Sequence, residues 1–167
     1  MDRDGVININ KPGYIKNWDE FEFMPSVLDL FKIFRERKFR VAIITNQSML
    51  ARGFSTIENL NYIHKRMLEE VEKAGGHIEQ IYYCPHHPKD NCMCRKPKPG
   101  MLLEAKKDMN ISLENSYFIG DSFKDIEAGA SVGCKTILLL NDRINIKETT
   151  VKPDFYINNI IEAKNII

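Results

Sequence analysis

The chain has 167 residues, 24 basic and 23 acidic side chains, and a formal net charge of +1. That length fits one domain whose core needs no disulfide staples, and the balanced charge supplies no whole-molecule field for nucleic acid or an anionic membrane. The longest apolar runs, such as Thr136 to Leu140, fall far short of the ~20 residues of a membrane-spanning helix and no signal-peptide pattern opens the sequence, so a cytoplasmic monomer without nucleic-acid or membrane partners is expected.

In chain order, the first pattern is Asp2-Arg3-Asp4-Gly5-Val6-Ile7-Asn8, two carboxylates two residues apart with a glycine that permits a tight turn. Val27 to Arg37 follows with Val27, Leu30, Phe31 and Phe34 at helical spacing, then the β-branched run Val41 to Thr45. Ile57 to Ala74 carries Leu60, Ile63, Met67, Leu68 and Val71 on one helical face. Ile81 to Cys84, Ser116 to Ile119, Thr136 to Leu140 and Phe155 to Ile157 read as further strands. Met101 to Met109, Phe123 to Val132 and Asn158 to Ile167 read as helices. The alternation predicts an α/β fold, a doubly wound parallel sheet covered by helices in three layers, as one domain over residues 1–167.

Four segments carry chemistry. Besides Asp2 and Asp4, Thr45-Asn46-Gln47-Ser48 places hydroxyl and amide groups where a parallel strand opens into a crevice. Cys94-Arg95-Lys96-Pro97-Lys98-Pro99-Gly100 supplies three cations in a proline-stiffened loop, suited to neutralising a phosphoryl group. Ile119-Gly120-Asp121-Ser122-Phe123-Lys124-Asp125 sets two carboxylates at a strand end and one helical turn later, a Mg²⁺-binding arrangement. Taken singly, each also reads as ordinary local structure: a turn, a helix cap, a solvated basic loop. Together they fall at the ends of successive strands, where open α/β sheets bind ligands.

With these four motifs the chain resembles the haloacid dehalogenase-like phosphohydrolases over essentially its whole length. The resemblance implies a phosphatase in which Asp2 is the nucleophile that forms an aspartyl-phosphate and Asp4 is the general acid/base. It also implies that Thr45 binds the phosphoryl group and Lys96 offsets its charge. Mg²⁺ would sit on Asp2, the Asp4 carbonyl and Asp121, with Asp125 as a ligand or a support. No insertion long enough for a cap domain separates the motifs, so a compact, open pocket is expected.

Of the four cysteines, Cys134 stands apart as core, while Cys84, Cys92 and Cys94 crowd into eleven residues with His86 and His87. The pattern Cys84-x-His86-x5-Cys92-x-Cys94 offers four ligands for a closed tetrahedral Zn²⁺ site, which reads as structural because no position is left for water. This loop, residues 84–94, narrows the resemblance to a branch holding heptose 1,7-bisphosphate phosphatases and histidinol-phosphate phosphatases. Thr45 to Phe54 and Cys94 to Met101 look more like the heptose enzymes. On that likeness the substrate is a small phosphorylated sugar, contacted by Asn10, Lys11, Pro12, Gly13, Asn46, Gln47, Ser48, Arg52 and Arg95. Histidinol phosphate is the alternative substrate, followed by a polynucleotide 3′-phosphate, and an inactive zinc-stabilised module is the alternative of another class. In this fold the nucleophile ends the central strand, yet only Met1 precedes Asp2, so that strand is expected to be missing from the sheet.

Overall fold

The computed structural model describes residues 1–142, Ile144 and residues 151–167. Helix α1 (Val27–Glu36) leads into strand β1 (Ala42–Asn46), α2 (Ile57–Lys73), β2 (Gln80–Cys84), α3 (Gly100–Asp108), β3 (Tyr117–Gly120), α4 (Phe123–Ala130), β4 (Lys135–Leu139) and β5 (Phe155–Ile157). These match the predicted elements to within a residue or two at their ends. The closing segment differs, being a 3-10 helix over Ile160–Asn165. Its tight start is fixed by Asn159, whose side chain accepts from the Ile161 N–H at 3.2 Å, and by Glu162, which reaches back to the backbone of Asn158 and Asn159.

Every strand pairing is parallel. Strand β1 pairs with β2, and β3 with β4 and then β5, but among the described residues no ladder joins β1 to β3. Between them lies the opening dipeptide. The Met1 amino group donates to Ala42 O at 2.8 Å, Ile44 N donates to Met1 O at 2.9 Å, and Asp2 N donates to Ile119 O at 2.9 Å. The central strand expected to be missing is therefore represented by two residues, and beneath them an apolar cavity of about 410 Å³ is lined by Val41, Ala42, Leu102, Tyr117 and Phe118 among others.

Alternation along the strands builds a core on each face. Ile43, Ile119, Ile137 and Ile157 pack with α1 and with Met67 and Val71 of α2. Their neighbours Ile44, Tyr82 and Phe118 face the other way, onto Met101, Leu102 and Ala105 of α3 and Ala128 of α4. Helices thus cover both faces, as the period-2 geometry of buried strands requires. Among the described residues no helix is long and apolar enough to cross a membrane.

Candidate active site

All four chemical motifs come together at the carboxyl ends of the strands. Asp2, Asp4, Asn10, Thr45, Asn46, Lys96, Asp121 and Asp125 line one pocket of about 480 Å³. After Asp2 the chain folds back on itself: Ile7 N and Asn8 N both donate to Arg3 O, at 2.8 and 3.1 Å, and Gly5 N donates to Asn8 O at 2.8 Å. Gly5 is needed there twice over. Its φ of +88° is left-handed, and a Cβ would stand 2.0 Å from Asp121 Oδ2, so glycine lets Asp121 close on the turn. Gly120 gives the start of α4 the same proximity, since a Cβ there would meet the Asp125 Cβ at 2.1 Å.

Lys96 is the hub of the floor. Only 3% exposed, it donates to Ile44 O at 2.8 Å and pairs with Asp2 Oδ1 at 2.8 Å and Asp125 Oδ1 at 2.6 Å. Burial works against its charge, but Asp125 and Asp2 outweigh that and hold its pKa above the ordinary lysine range. The Asn46 side chain grips the Lys96 backbone from both sides, accepting from Lys96 N at 3.1 Å and donating to Lys96 O at 3.2 Å. Of the three cations predicted for this loop, only Lys96 enters the pocket. Lys98 turns outward to Asn91, and Arg95 does not line the pocket.

The two carboxylates of the opening motif have opposite surroundings. Burial pushes Asp2 up to about 7, with Lys96 opposing and the like charges of Asp125 and Asp121 adding to it. Its Oδ1 accepts from Arg3 N at 2.7 Å as well as from Lys96. Asp4 is also desolvated, yet Arg3, Asn8 and Gln47 more than compensate and hold it below the usual carboxylate range. Asp125 is fully buried and already committed, with Oδ1 on Lys96 and Oδ2 accepting from Ser122 N at 3.1 Å and Ser122 Oγ at 2.6 Å. It anchors the start of α4 and fixes Lys96.

Other expected substrate contacts lie elsewhere. Gln47 and Ser48 are buried, 1% and 3% exposed, because Gln47 turns inward to donate to Asp4 Oδ2 at 2.8 Å and Thr45 Oγ1 at 2.9 Å. Lys11, Pro12, Gly13 and Arg52 do not line the pocket, and Lys11 lies 3.9 Å from Glu22. The pocket also takes in Tyr14, Asn141 and Ile144, which the sequence did not single out. Tyr14, at a left-handed φ of 72°, stands beside Phe54 with 5.8 Å between ring centroids and brings its hydroxyl within 3.4 Å of Ser48 Oγ. Asn141, just past β4, donates to Asp121 O at 3.0 Å. Its place after a strand was the available signal.

Among the described residues two clusters are suited to cations. Ligand atoms of Asp2, Asp121 and Asp125 lie within 4.8 Å of one another, and three carboxylates against one lysine leave an excess of negative charge that a hard, oxygen-seeking dication would offset. The second cluster is Cys84, His86, Cys92 and Cys94. The Cys84, Cys92 and Cys94 sulfurs are 3.3 to 3.5 Å apart, and His86 Nδ1 is 3.6 Å from Cys84 Sγ and 3.2 Å from Cys94 Sγ. A tetrahedron with Zn–S bonds of about 2.3 Å has edges of roughly 3.8 Å, so the four atoms fit such an ion with a few tenths of an ångström of adjustment. Burial and the neighbouring Cys84 and Cys92 push the Cys94 thiol up to about 12, a cost that a bound dication reverses.

The chain is similar to known proteins in both sequence and structure. Residues 93–163 match the family model described as HAD-hydrolase-like. The D-glycero-beta-D-manno-heptose-1,7-bisphosphate 7-phosphatase of Pseudomonas aeruginosa is 42% identical over 139 residues, 83% of this chain and 78% of that protein. The D-glycero-alpha-D-manno-heptose-1,7-bisphosphate 7-phosphatase of Campylobacter jejuni is 41% identical over 142 residues, 85% of this chain and 81% of that one. In three dimensions the chain matches the crystal structure of the D,D-heptose 1,7-bisphosphate phosphatase from B. bronchiseptica, complexed with magnesium and phosphate, with a TM-score of 0.93 and 32% identity over 99% of this chain and 94% of that one. The chain belongs to the haloacid dehalogenase-like hydrolases and stands among their phosphatases.

Proposed function

We propose that this phosphatase removes the 7-phosphate of D-glycero-D-manno-heptose 1,7-bisphosphate by way of an aspartyl-phosphate on Asp2. The observation that carries the mechanism is the setting of Asp2. One oxygen is held by Lys96 and the Arg3 N–H, and among the described residues nothing hydrogen-bonds the other. The free oxygen attacks phosphorus, the bond from phosphorus to the sugar oxygen breaks, and Asp4 gives that oxygen its proton. In the second half Asp4 takes a proton from water as the water attacks phosphorus, which releases phosphate and restores the Asp2 carboxylate. Asp4 rests in its ionised form, ready for the second half, and the arriving phosphate charge raises its proton affinity for the first.

Thr45, in the pocket at the end of β1, is placed to donate to a phosphoryl oxygen. Mg²⁺ would be held by Asp2, Asp121 and the Asp4 carbonyl, where it would screen the repulsion between the carboxylate and the phosphate dianion. Zn²⁺ on Cys84, His86, Cys92 and Cys94 would brace the loop that delivers Lys96.

The substrate reading rests on similarity to both the α- and β-named relatives and on a pocket sized for a compact metabolite. Phosphate release in Mg²⁺ from each anomer of heptose 1,7-bisphosphate and from histidinol phosphate tests it. At least one heptose anomer should give a kcat/KM about 100-fold or more above histidinol phosphate, a preference of ~2.7 kcal/mol. Preference for histidinol phosphate would refute the sugar assignment, and no release from any of the three would refute the phosphatase mechanism.

A further inference from the structure

Arg3 lies between the two catalytic aspartates in sequence, yet it is fully buried and does not line the pocket. Its guanidinium is spent on three partners. Nη2 lies 2.9 Å from both oxygens of Asp4, and Nε lies 3.1 Å from Oδ1. Nη2 also reaches Gln47 Oε1 at 3.1 Å, and Nη1 stands 3.3 Å from His64 Nε2. A guanidinium only donates, so His64 must accept at Nε2 and carry its proton on Nδ1. Burial, with the Arg3 charge adding to it, keeps His64 neutral by pushing its pKa down to about 3.

We propose that Arg3 is a positioning residue that fixes the direction of the Asp4 carboxylate, and that His64 of α2 holds Arg3 in place for that task. The inference rests on the role assigned to Asp4 above. Two features separate it from simple neutralisation of a buried arginine. The fork-on-carboxylate arrangement defines an orientation, where a point charge would define only a distance. Gln47 closes the network by donating to both Asp4 and Thr45, so the hydrogen bonds begun at His64 end on two groups that line the pocket. A slack clamp would misdirect Asp4 without altering the nucleophile.

The experiment compares His64→Leu, His64→Gln and Arg3→Lys on two substrates: the sugar bisphosphate, whose leaving alkoxide needs a proton, and 4-nitrophenyl phosphate, whose leaving group departs as an anion. Because kcat/KM ends at the first irreversible step, the second substrate bypasses Asp4 as an acid. His64→Leu and Arg3→Lys should lower kcat/KM on the sugar phosphate by about 30-fold or more, within the range for a misplaced acid, and on the aryl phosphate by less than about threefold. His64→Gln, which keeps an acceptor, should restore the sugar-phosphate rate to within about threefold of wild type. Equal losses on both substrates, failure of His64→Gln to rescue, or no loss from His64→Leu would overturn the proposal. Should the wild-type chain hydrolyse neither substrate, the assigned function falls, and this inference with it.

Discussion

The two cation-suited clusters are built on opposite plans. Asp2 comes from the start of the sequence and Asp121 and Asp125 from the junction of β3 and α4, and they meet because the turn after Met1 converges on that junction. Cys84, His86, Cys92 and Cys94 come from one loop, and most of that site is partly or fully exposed. The sheet fixes the carboxylate site, and Lys96 neutralises part of it whether or not a cation is bound. Among the described residues the thiol site has no such internal cation, so an ion bound there would hold its geometry. Damage to the first should therefore remove activity and spare the fold, whereas damage to the second should affect both.

The largest effect tests the first half of that contrast. Asp2→Asn keeps the shape but removes the attacking oxygen, and kcat should fall by at least about 1000-fold. In metal-free protein the melting temperature should hold or rise, because a carboxylate disfavoured by burial beside Asp125 and Asp121 has become neutral. Retained turnover would remove Asp2 as nucleophile, and a collapse in stability would show that the carboxylate site supports the fold after all.

Next in size is Cys92→Ser. Removing one of the four proposed zinc ligands should lower thermal stability by several degrees and activity by about tenfold or more. The route from loop to chemistry is specific: Cys94 is two residues from Lys96, whose backbone is tied to Asn46. Zinc content by elemental analysis, melting temperature and turnover should fall together. An unchanged melting temperature, or a folded wild-type protein with no zinc, would contradict the structural role.

How much of this was legible in the sequence follows the same division. The apolar β-branched runs announced β1 and β4, and Asp2, Asp4, Thr45, Lys96, Asp121 and Asp125, singled out by their motifs and the family resemblance those motifs carry, are brought together by the fold. The zinc-type loop was readable because its ligands are neighbours in sequence. What escaped was whatever depends on side-chain direction. Gln47 looked like a substrate contact and turned inward to Asp4 and Thr45. Arg3 looked like the indifferent residue between two aspartates and is fully buried. His64 did leave a trace, since it lies on the same face of α2 as Leu60, Ile63, Met67 and Val71, where a polar residue needs a partner. The partner itself could not be read, because it lies sixty-one positions earlier in the chain.

The smallest effect tests how firmly that partner is held, through pH. His64 is kept neutral in the fold, with a pKa near 3, against an ordinary value of 6.5. Below 6.5 the unfolded chain binds a proton that the folded chain refuses, so stability is fully present above that pH and is lost progressively as pH falls toward 3. Between pH 7 and pH 5 this amounts to about 2 kcal/mol, or on the order of 4 to 8 °C in melting temperature for a domain of this size. Asp2 works in the opposite direction, since its raised pKa stabilises the acid side, and both wild type and variant carry that contribution. The measurement is therefore a difference: the fall in melting temperature from pH 7 to pH 5 should be smaller in His64→Gln than in wild type by about that amount. Identical falls would mean that His64 accepts a proton readily in the folded state, in which case it could not serve as the acceptor that holds Arg3.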